Sequence, residues 1–84
     1  MKVTLFSTPN CMACKQTARA FEKRGIVFDS LNLENHPEIL DQFKGLGYAS
    51  APIVLAGDMS WSGFRLSKIE QLAEKIKREK KNEN

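Results

Sequence analysis

Cys11 and Cys14 are the only cysteines of the 84-residue chain, standing as Cys11-Met12-Ala13-Cys14. A strand-like run from Lys2 to Ser7 and a turn at Thr8-Pro9-Asn10 precede them, so the pair falls where an amphipathic helix begins. On a helix, residues at this spacing share a face, and their Cα separation lies inside the window that a disulfide tolerates. The pair can therefore open and close with little backbone movement. Cys11 lies at the helix N-terminus, where unpaired N–H groups and the macrodipole favour the thiolate, which is the attacking form. Its pKa is expected below the free-thiol value of about 8.5, toward about 7. The expected chemistry is dithiol–disulfide exchange, with Cys11 as nucleophile and Cys14, one turn deeper, as resolving thiol.

Other uses of the pair are weaker. As a structural staple it would close a very short loop, worth roughly 2 kcal/mol in the chain-entropy model and less on a helix that already holds those residues together. As half of a zinc site it would need further ligands, and the chain supplies only His36 and carboxylates against the Cys-rich sets of structural zinc. An iron–sulfur cluster would have to be shared between two chains. No metal and no organic cofactor is expected in the protein.

Length bounds the rest. A chain this short buries only about 60 to 65% of its unfolded surface, which leaves room for one domain. With 42% apolar and 27% charged residues the composition is that of an ordinary globular protein. The longest stretch without a charge, Gly45 to Gly57, is broken by glycines and a proline and is too short to cross a bilayer. Val3-Thr4-Leu5-Phe6 is too short for the apolar region of a signal peptide. A cytoplasmic, reducing compartment is therefore expected, where a Cys pair is more often catalytic than structural. Through Glu74 the basic and acidic residues balance. The whole net charge of +3 arises from Lys75, Lys77, Arg78, Lys80 and Lys81 against Glu79 and Glu83. Such an end complements a helix dipole and keeps a small protein soluble, so neither nucleic acid nor a membrane surface is expected as a partner. A binding protein using this basic end remains a competing reading.

The elements that must position the cysteines follow from periodicity. Val3, Leu5 and Phe6 mark a first strand over 2–7. Cys14, Ala18 and Phe21 recur at helical spacing over 12–24, with Gly25 as the stop. The residues from Ile26 to Leu33 predict a second strand. Asn35-His36-Pro37-Glu38 opens a second helix ending near Phe43, at Gly45 and Gly47; His36 reads as a helix-start surface residue. Pro52 to Ala56, Gly57-Asp58 and Met59 to Trp61 predict a hairpin. Ile69, Leu72, Ala73 and Ile76 predict a final helix from Ser67 to about Lys80 that docks by one stripe. The order βαβαββα gives an α/β protein with a mixed four-stranded sheet flanked by three helices. A Cys-x-x-Cys at its first strand–helix junction makes that a thioredoxin-like fold. One domain is expected over 1–79, with 80–84 a charged, disordered tail.

Three segments carry a closer likeness: Ser7 to Cys14 (STPNCMAC), Ala51 to Val54 (APIV) and Ala56 to Arg65 (AGDMSWSGFR). With them the chain resembles the glutaredoxin branch of that fold, and within it the NrdH-redoxins, for which Trp61-Ser62-Gly63-Phe64-Arg65 is the most specific string. The resemblance implies a monomeric thiol–disulfide oxidoreductase that delivers electrons to the large subunit of a class Ib ribonucleotide reductase. It further implies reduction by thioredoxin reductase in place of glutathione. Glutaredoxins place a Lys ahead of their Cys pair to bind a glutathione carboxylate; the corresponding residue here is Thr8. Their Gly-Gly-acid sequence is replaced by Ser62-Gly63-Phe64-Arg65, bulkier and of opposite sign. A glutathione-dependent glutaredoxin is thus the nearest alternative. The chain also departs from the NrdH-redoxin pattern, with Ala13 for a Gln and Leu66 for a Pro.

By resemblance Pro52 is a cis proline facing the Cys pair, and the Ala51 backbone pairs with the substrate chain like an added strand. Ala51, Pro52 and Trp61 through Arg65 are thus the expected partner-binding residues. For Trp61 and Phe64 two readings stand, core aromatics or an exposed docking surface. Arg65 reads equally as a solvated charge.

Overall fold

The computed structural model describes residues 1–45 and 51–82, with side chains described as far as Glu79. Its strands are β1 (Val3–Ser7), β2 (Asp29–Asn32), β3 (Ile53–Ala56) and β4 (Met59–Ser62), and its helices are α1 (Met12–Lys23), α2 (Pro37–Lys44) and α3 (Leu66–Asn82). The sheet runs β2-β1-β3-β4. β1 pairs parallel with β2, across the α1 crossover, and antiparallel with β3, which pairs antiparallel with β4. This is the expected thioredoxin-like arrangement.

Strand alternation divides the apolar residues between two faces. Val3, Leu5, Val54, Ala56 and Trp61 point one way and pack against Ala20 and Phe21 of α1 and Ile69 and Leu72 of α3. Phe6 and Ile53 point the other way, to Leu33 and to Phe43 of α2. One layer of sheet thus holds helices on both sides, and the Cys pair sits at the end of its central strand β1. The β3–β4 turn is two residues long, with Gly57 at φ +61° in the first central position, where a positive φ matches the twist of the strands.

α1 ends as Gly25 predicts. Gly25 has φ +68°, its N–H donates to the Glu22 carbonyl (3.1 Å), and the Ile26 N–H donates to the Phe21 carbonyl (2.9 Å), the paired bonds of a Schellman motif. That motif corrects the expected second strand. Ile26 belongs to the helix cap and is buried in the core, Val27 is 88% exposed, and Phe28 meets Phe21 edge-on with ring centroids 5.2 Å apart. Pairing with β1 starts only at Asp29. At the other end Asn32 Oδ1 accepts from the Glu34 N–H (2.9 Å), turning Leu33–Asn35 into a 3-10 turn. Leu33 still reaches the core from there, while Leu31 is exposed.

Pro37 occupies the first turn of α2, as expected, and Gly45 is its C-cap; Gly47 lies outside the described residues. α3 starts at Leu66 and continues to Asn82, so no helix end coincides with the expected boundary at residue 80. Residues 83 and 84 lie outside the described part. No helix among the described residues is long and apolar enough to cross a membrane.

Candidate active site

The loop after β1 makes the site. Asn10 adopts φ +59°, a left-handed conformation that Asn tolerates better than most residues, and this reverses the chain so that Cys11 becomes the N-cap of α1. Cys11 Sγ then accepts the Cys14 backbone N–H at 3.1 Å, the bond a Ser or Asp oxygen usually makes at an N-cap. The Cys11 carbonyl accepts from the Lys15 N–H at 3.2 Å. A sulfur in this position receives an amide hydrogen bond and the positive end of the helix dipole, both of which stabilise its anion in the reduced protein.

The two cysteines form a disulfide with Cα atoms 5.3 Å apart. They differ in access: Cys11 is half-buried, whereas Cys14 is only 4% exposed. Thr17, one turn further along the buried face, satisfies its hydroxyl by donating to the Ala13 carbonyl (2.8 Å). A partner's disulfide can reach Cys11 but not Cys14, an asymmetry suited to one attacking and one resolving sulfur. A groove of about 290 Å³ opens beside the pair, lined by Thr8, Asn10 and Lys15 and by Ser30 of β2. Thr8 carries no charge into it. Among the described residues there is no cluster of His, Cys, Asp and Glu able to hold a metal ion.

On the other side stands the segment before β3. The Ala51–Pro52 peptide bond is cis, and Cys11 Sγ lies 4.0 Å from the Ala51 carbonyl oxygen. Ser62 pairs with Ile53 at the end of the β3–β4 ladder, and the Gly63 N–H donates to the Pro52 carbonyl at 2.8 Å. Gly63 needs its φ of +82° for that turn. Phe64 follows at 40% exposure, and the exposed Arg65 folds back so that Nε donates to the Ser62 carbonyl (3.2 Å). The sequence-predicted stretches Ala51-Pro52 and Ser62 to Arg65 are thus tied together by the Gly63–Pro52 bond, with Ala51 beside Cys11.

Trp61 does not join them. It is 2% exposed and packed in the core with Ile69 and Leu72, which rules out its expected place on a docking surface. The cause is register: Trp61 lies opposite Val54, itself fully buried, and paired residues of an antiparallel ladder share a face. Two neighbours of the cysteines went unpredicted. Ser30 is brought in by the parallel β1–β2 pairing, a long-range contact. Met12, between the cysteines, is 69% exposed, as its place on the helix face opposite Thr17 and Phe21 indicates.

The chain is similar to known proteins over most of its length. The glutaredoxin family profile matches residues 3–61. The chain is 40% identical over 72 residues to the glutaredoxin-like protein NrdH of Salmonella typhimurium, covering 86% of this chain and 89% of that protein. It is 35% identical over 71 residues to the NrdH protein of Lactococcus lactis subsp. lactis, covering 84% and 99%. Among solved structures it matches the Escherichia coli NrdH-redoxin, a glutaredoxin-like protein described as having a thioredoxin-like activity profile. That match has a TM-score of 0.79 and 39% identity, and it covers 86% of this chain and 95% of the other.

Proposed function

The chain belongs to the glutaredoxin family, in its NrdH-redoxin branch, and from that premise we propose that it carries electrons from thioredoxin reductase to the large subunit of a class Ib ribonucleotide reductase. It is a thiol–disulfide oxidoreductase with a Cys11–Cys14 pair. In the proposed cycle the Cys11 thiolate attacks one sulfur of the substrate disulfide, that S–S bond breaks, and the electron pair leaves on the substrate's other sulfur, which takes up a proton. The Cys14 thiolate then attacks Cys11 Sγ, releasing the second substrate sulfur as a thiol and forming the Cys11–Cys14 disulfide. Two electrons pass to the substrate with no other cofactor. Thioredoxin reductase returns them by the reverse exchange, in the reducing cytoplasm. The Ala51 carbonyl beside Cys11 and the cis Pro52 align the substrate backbone, while Ser62 to Arg65 meet the partner beyond Pro52.

The observation that carries this reading is the chemistry of the residues flanking the Cys pair and its cis-proline segment. Thr8 offers no cation on one side, and the segment bonded to Pro52 presents Phe64 and Arg65 where an acid would hold the amino end of glutathione. A lost charge-assisted contact typically costs about 1.5 to 3 kcal/mol, so two lost contacts weaken glutathione binding by roughly a hundredfold or more. The thioredoxin-like activity profile described for the E. coli relative agrees. The test compares NADPH oxidation on adding oxidised protein to thioredoxin reductase, or to glutathione with glutathione reductase. Rapid turnover in the first mixture and little in the second is expected; the opposite pattern would make the protein a glutathione-dependent glutaredoxin.

A further inference from the structure

The exposed face of α1 carries Lys15, Arg19 and Lys23 at successive helical turns, all three solvent-exposed. Like charges four residues apart on a helix repel, and among the described residues none of the three has an ion pair. Glu22 is the helix's one acid and forms no ion pair with them. Arg24, by contrast, is engaged, its guanidinium donating to the Ala20 carbonyl at 3.2 Å and lying 3.7 Å from the Glu70 carboxylate. Three cations are thus left facing solvent on one helix.

An apolar wall stands beside them. Arg19, Lys23 and the Glu70-paired Arg24, with Gln16 and Ala20, line a groove of about 450 Å³ whose opposite side is Phe64 and Leu66, two of the few large apolar side chains exposed among the described residues, at 40% and 44%. The groove shares α1 with the redox site, since Gln16 follows Lys15, which lines the groove at the cysteines, and a bonded path joins its other side to Cys11. Phe64 follows Gly63, which is bonded to Pro52, and Ala51 is the residue beside Cys11 Sγ. At the head of α1, Lys15 lines the groove at the cysteines themselves.

We propose that the groove between α1 and Phe64–Leu66 receives the partner protein's chain on one side of its disulfide, and that the segment it takes is acidic with an apolar anchor side chain. This rests on the redoxin reading above and adds what that reading lacks, the chemistry by which a protein disulfide is told from others. Acidic residues meet Arg19 and Lys23, which steer the encounter and fix its direction; the apolar side chain covers Phe64 and Leu66. A nucleic acid would satisfy the cations but carries neither a sulfur for Cys11 nor an apolar side chain for Leu66.

The test uses two synthetic peptides with the same intramolecular disulfide, one flanked by Glu-Leu-Glu and the other by Lys-Leu-Lys, with bis(2-hydroxyethyl) disulfide as uncharged reference. The rate at which each oxidises the reduced protein is measured at about 20 mM and about 0.5 M salt, where screening differs most. The acidic peptide should react about tenfold faster than the basic one at low salt, and the gap should close at high salt. In the variant Arg19→Glu/Lys23→Glu, whose fold is checked by circular dichroism, the preference should reverse. Leu66→Ser, which leaves the charges in place, should slow both peptides by about threefold relative to the uncharged disulfide. If the wild-type protein oxidises equally fast with both peptides while reacting with the small disulfide, the groove assignment is wrong and the redoxin reading stands. If the double variant keeps the preference for the acidic peptide, the cations are not its source and the proposal falls. If the reduced protein reacts with none of the three disulfides, the redoxin reading itself fails and takes the groove with it.

Discussion

Replacing Trp61 with Ala should destabilise the protein rather than blunt its recognition of partners. Trp61 is the largest side chain of the core at 2% exposure, wedged among Leu5, Phe21, Ile69 and Leu72. Truncating a buried Trp or Phe to Ala costs about 3 to 5 kcal/mol in lost transfer energy and residual cavity. One term offsets part of this: the buried indole Nε1 has no hydrogen-bond partner among the described residues, and removing an unsatisfied donor recovers some desolvation cost. The lower end, about 3 kcal/mol, is therefore expected. A domain of this size has a total stability of roughly 4 to 13 kcal/mol, so the loss is a quarter to most of it, or about 12 to 24 °C in melting temperature. Phe64→Ala, at a partly exposed position, should cost under about 1 kcal/mol. Circular dichroism during urea unfolding of the reduced proteins gives the comparison, since the variant removes the only Trp and with it the fluorescence signal. Below its melting range Trp61→Ala should lose turnover with thioredoxin reductase and with a small dithiol in step with its folded fraction. Phe64→Ala should lose the first and keep the second. A Trp61→Ala protein with an unchanged urea midpoint and selectively slowed reductase turnover would refute the reasoning.

Cys14→Ser should accumulate a mixed disulfide through Cys11 when mixed with an oxidised partner, whereas Cys11→Ser should accumulate none; equal trapping by both, read on non-reducing gels, would overturn the assignment of attacking and resolving sulfurs. The Lys75 ammonium, by its hydrogen bond and its charge, holds the Asp58 carboxyl below its ordinary value. A lowered carboxylate pKa contributes stability above the unfolded-state value and loses it as pH falls through the folded-state value. The pair is exposed, so Lys75→Ala should leave the neutral-pH melting temperature unresolved from wild type, and any difference should vanish once acid protonates Asp58 in the folded protein as well. Thr17→Val keeps the shape of the side chain and removes a donor whose acceptor, the Ala13 carbonyl, lies within α1; it should shift the urea midpoint by less than about 1.5 kcal/mol equivalent. Deleting residues 80–84 should leave reduction of a small uncharged disulfide within about twofold, because such a substrate gives exposed charges nothing to attract.

Features set by local chemistry were legible in the sequence. Gly25 stops α1 because a Schellman cap needs a positive φ, Pro37 starts α2 because its missing N–H has no helical partner there, and Ile69, Leu72, Ala73 and Ile76 form the docking stripe of α3 because helical period alone decides it. Failures came where tertiary contacts outweighed local preference. Ile26, Val27 and Phe28 have high strand propensity, but the cap bond from Ile26 and the ring contact of Phe28 with Phe21 tie them to the end of α1, and β2 is left with Asp29–Asn32. Trp61 was decidable from its own strand: Met59 and Trp61 alternate with Ser60 and Ser62, a pattern that turns the aromatic inward.

Charge shows most clearly what a sum conceals. Through Glu74 acids and bases cancel, and cancellation suggests a surface with no electrostatic preference. The fold divides those charges unevenly. Arg24 is spent on Glu70, Lys2 lies 3.9 Å from Asp29, and the amino terminus lies 3.4 Å from Glu79. Lys15, Arg19 and Lys23 remain on the one helix whose N-terminus holds the reactive sulfur. Steering depends on the local field at the point of approach and not on net charge, and screening limits each contribution to about 10 Å. Lys15 therefore acts at the sulfur, while Arg19 and Lys23, roughly 12 and 18 Å along α1 from Cys11, act on the chain that flanks the partner's disulfide. A redoxin with a balanced domain can therefore still present a cationic approach to its nucleophile, and that arrangement becomes visible only when each charge is followed to its partner.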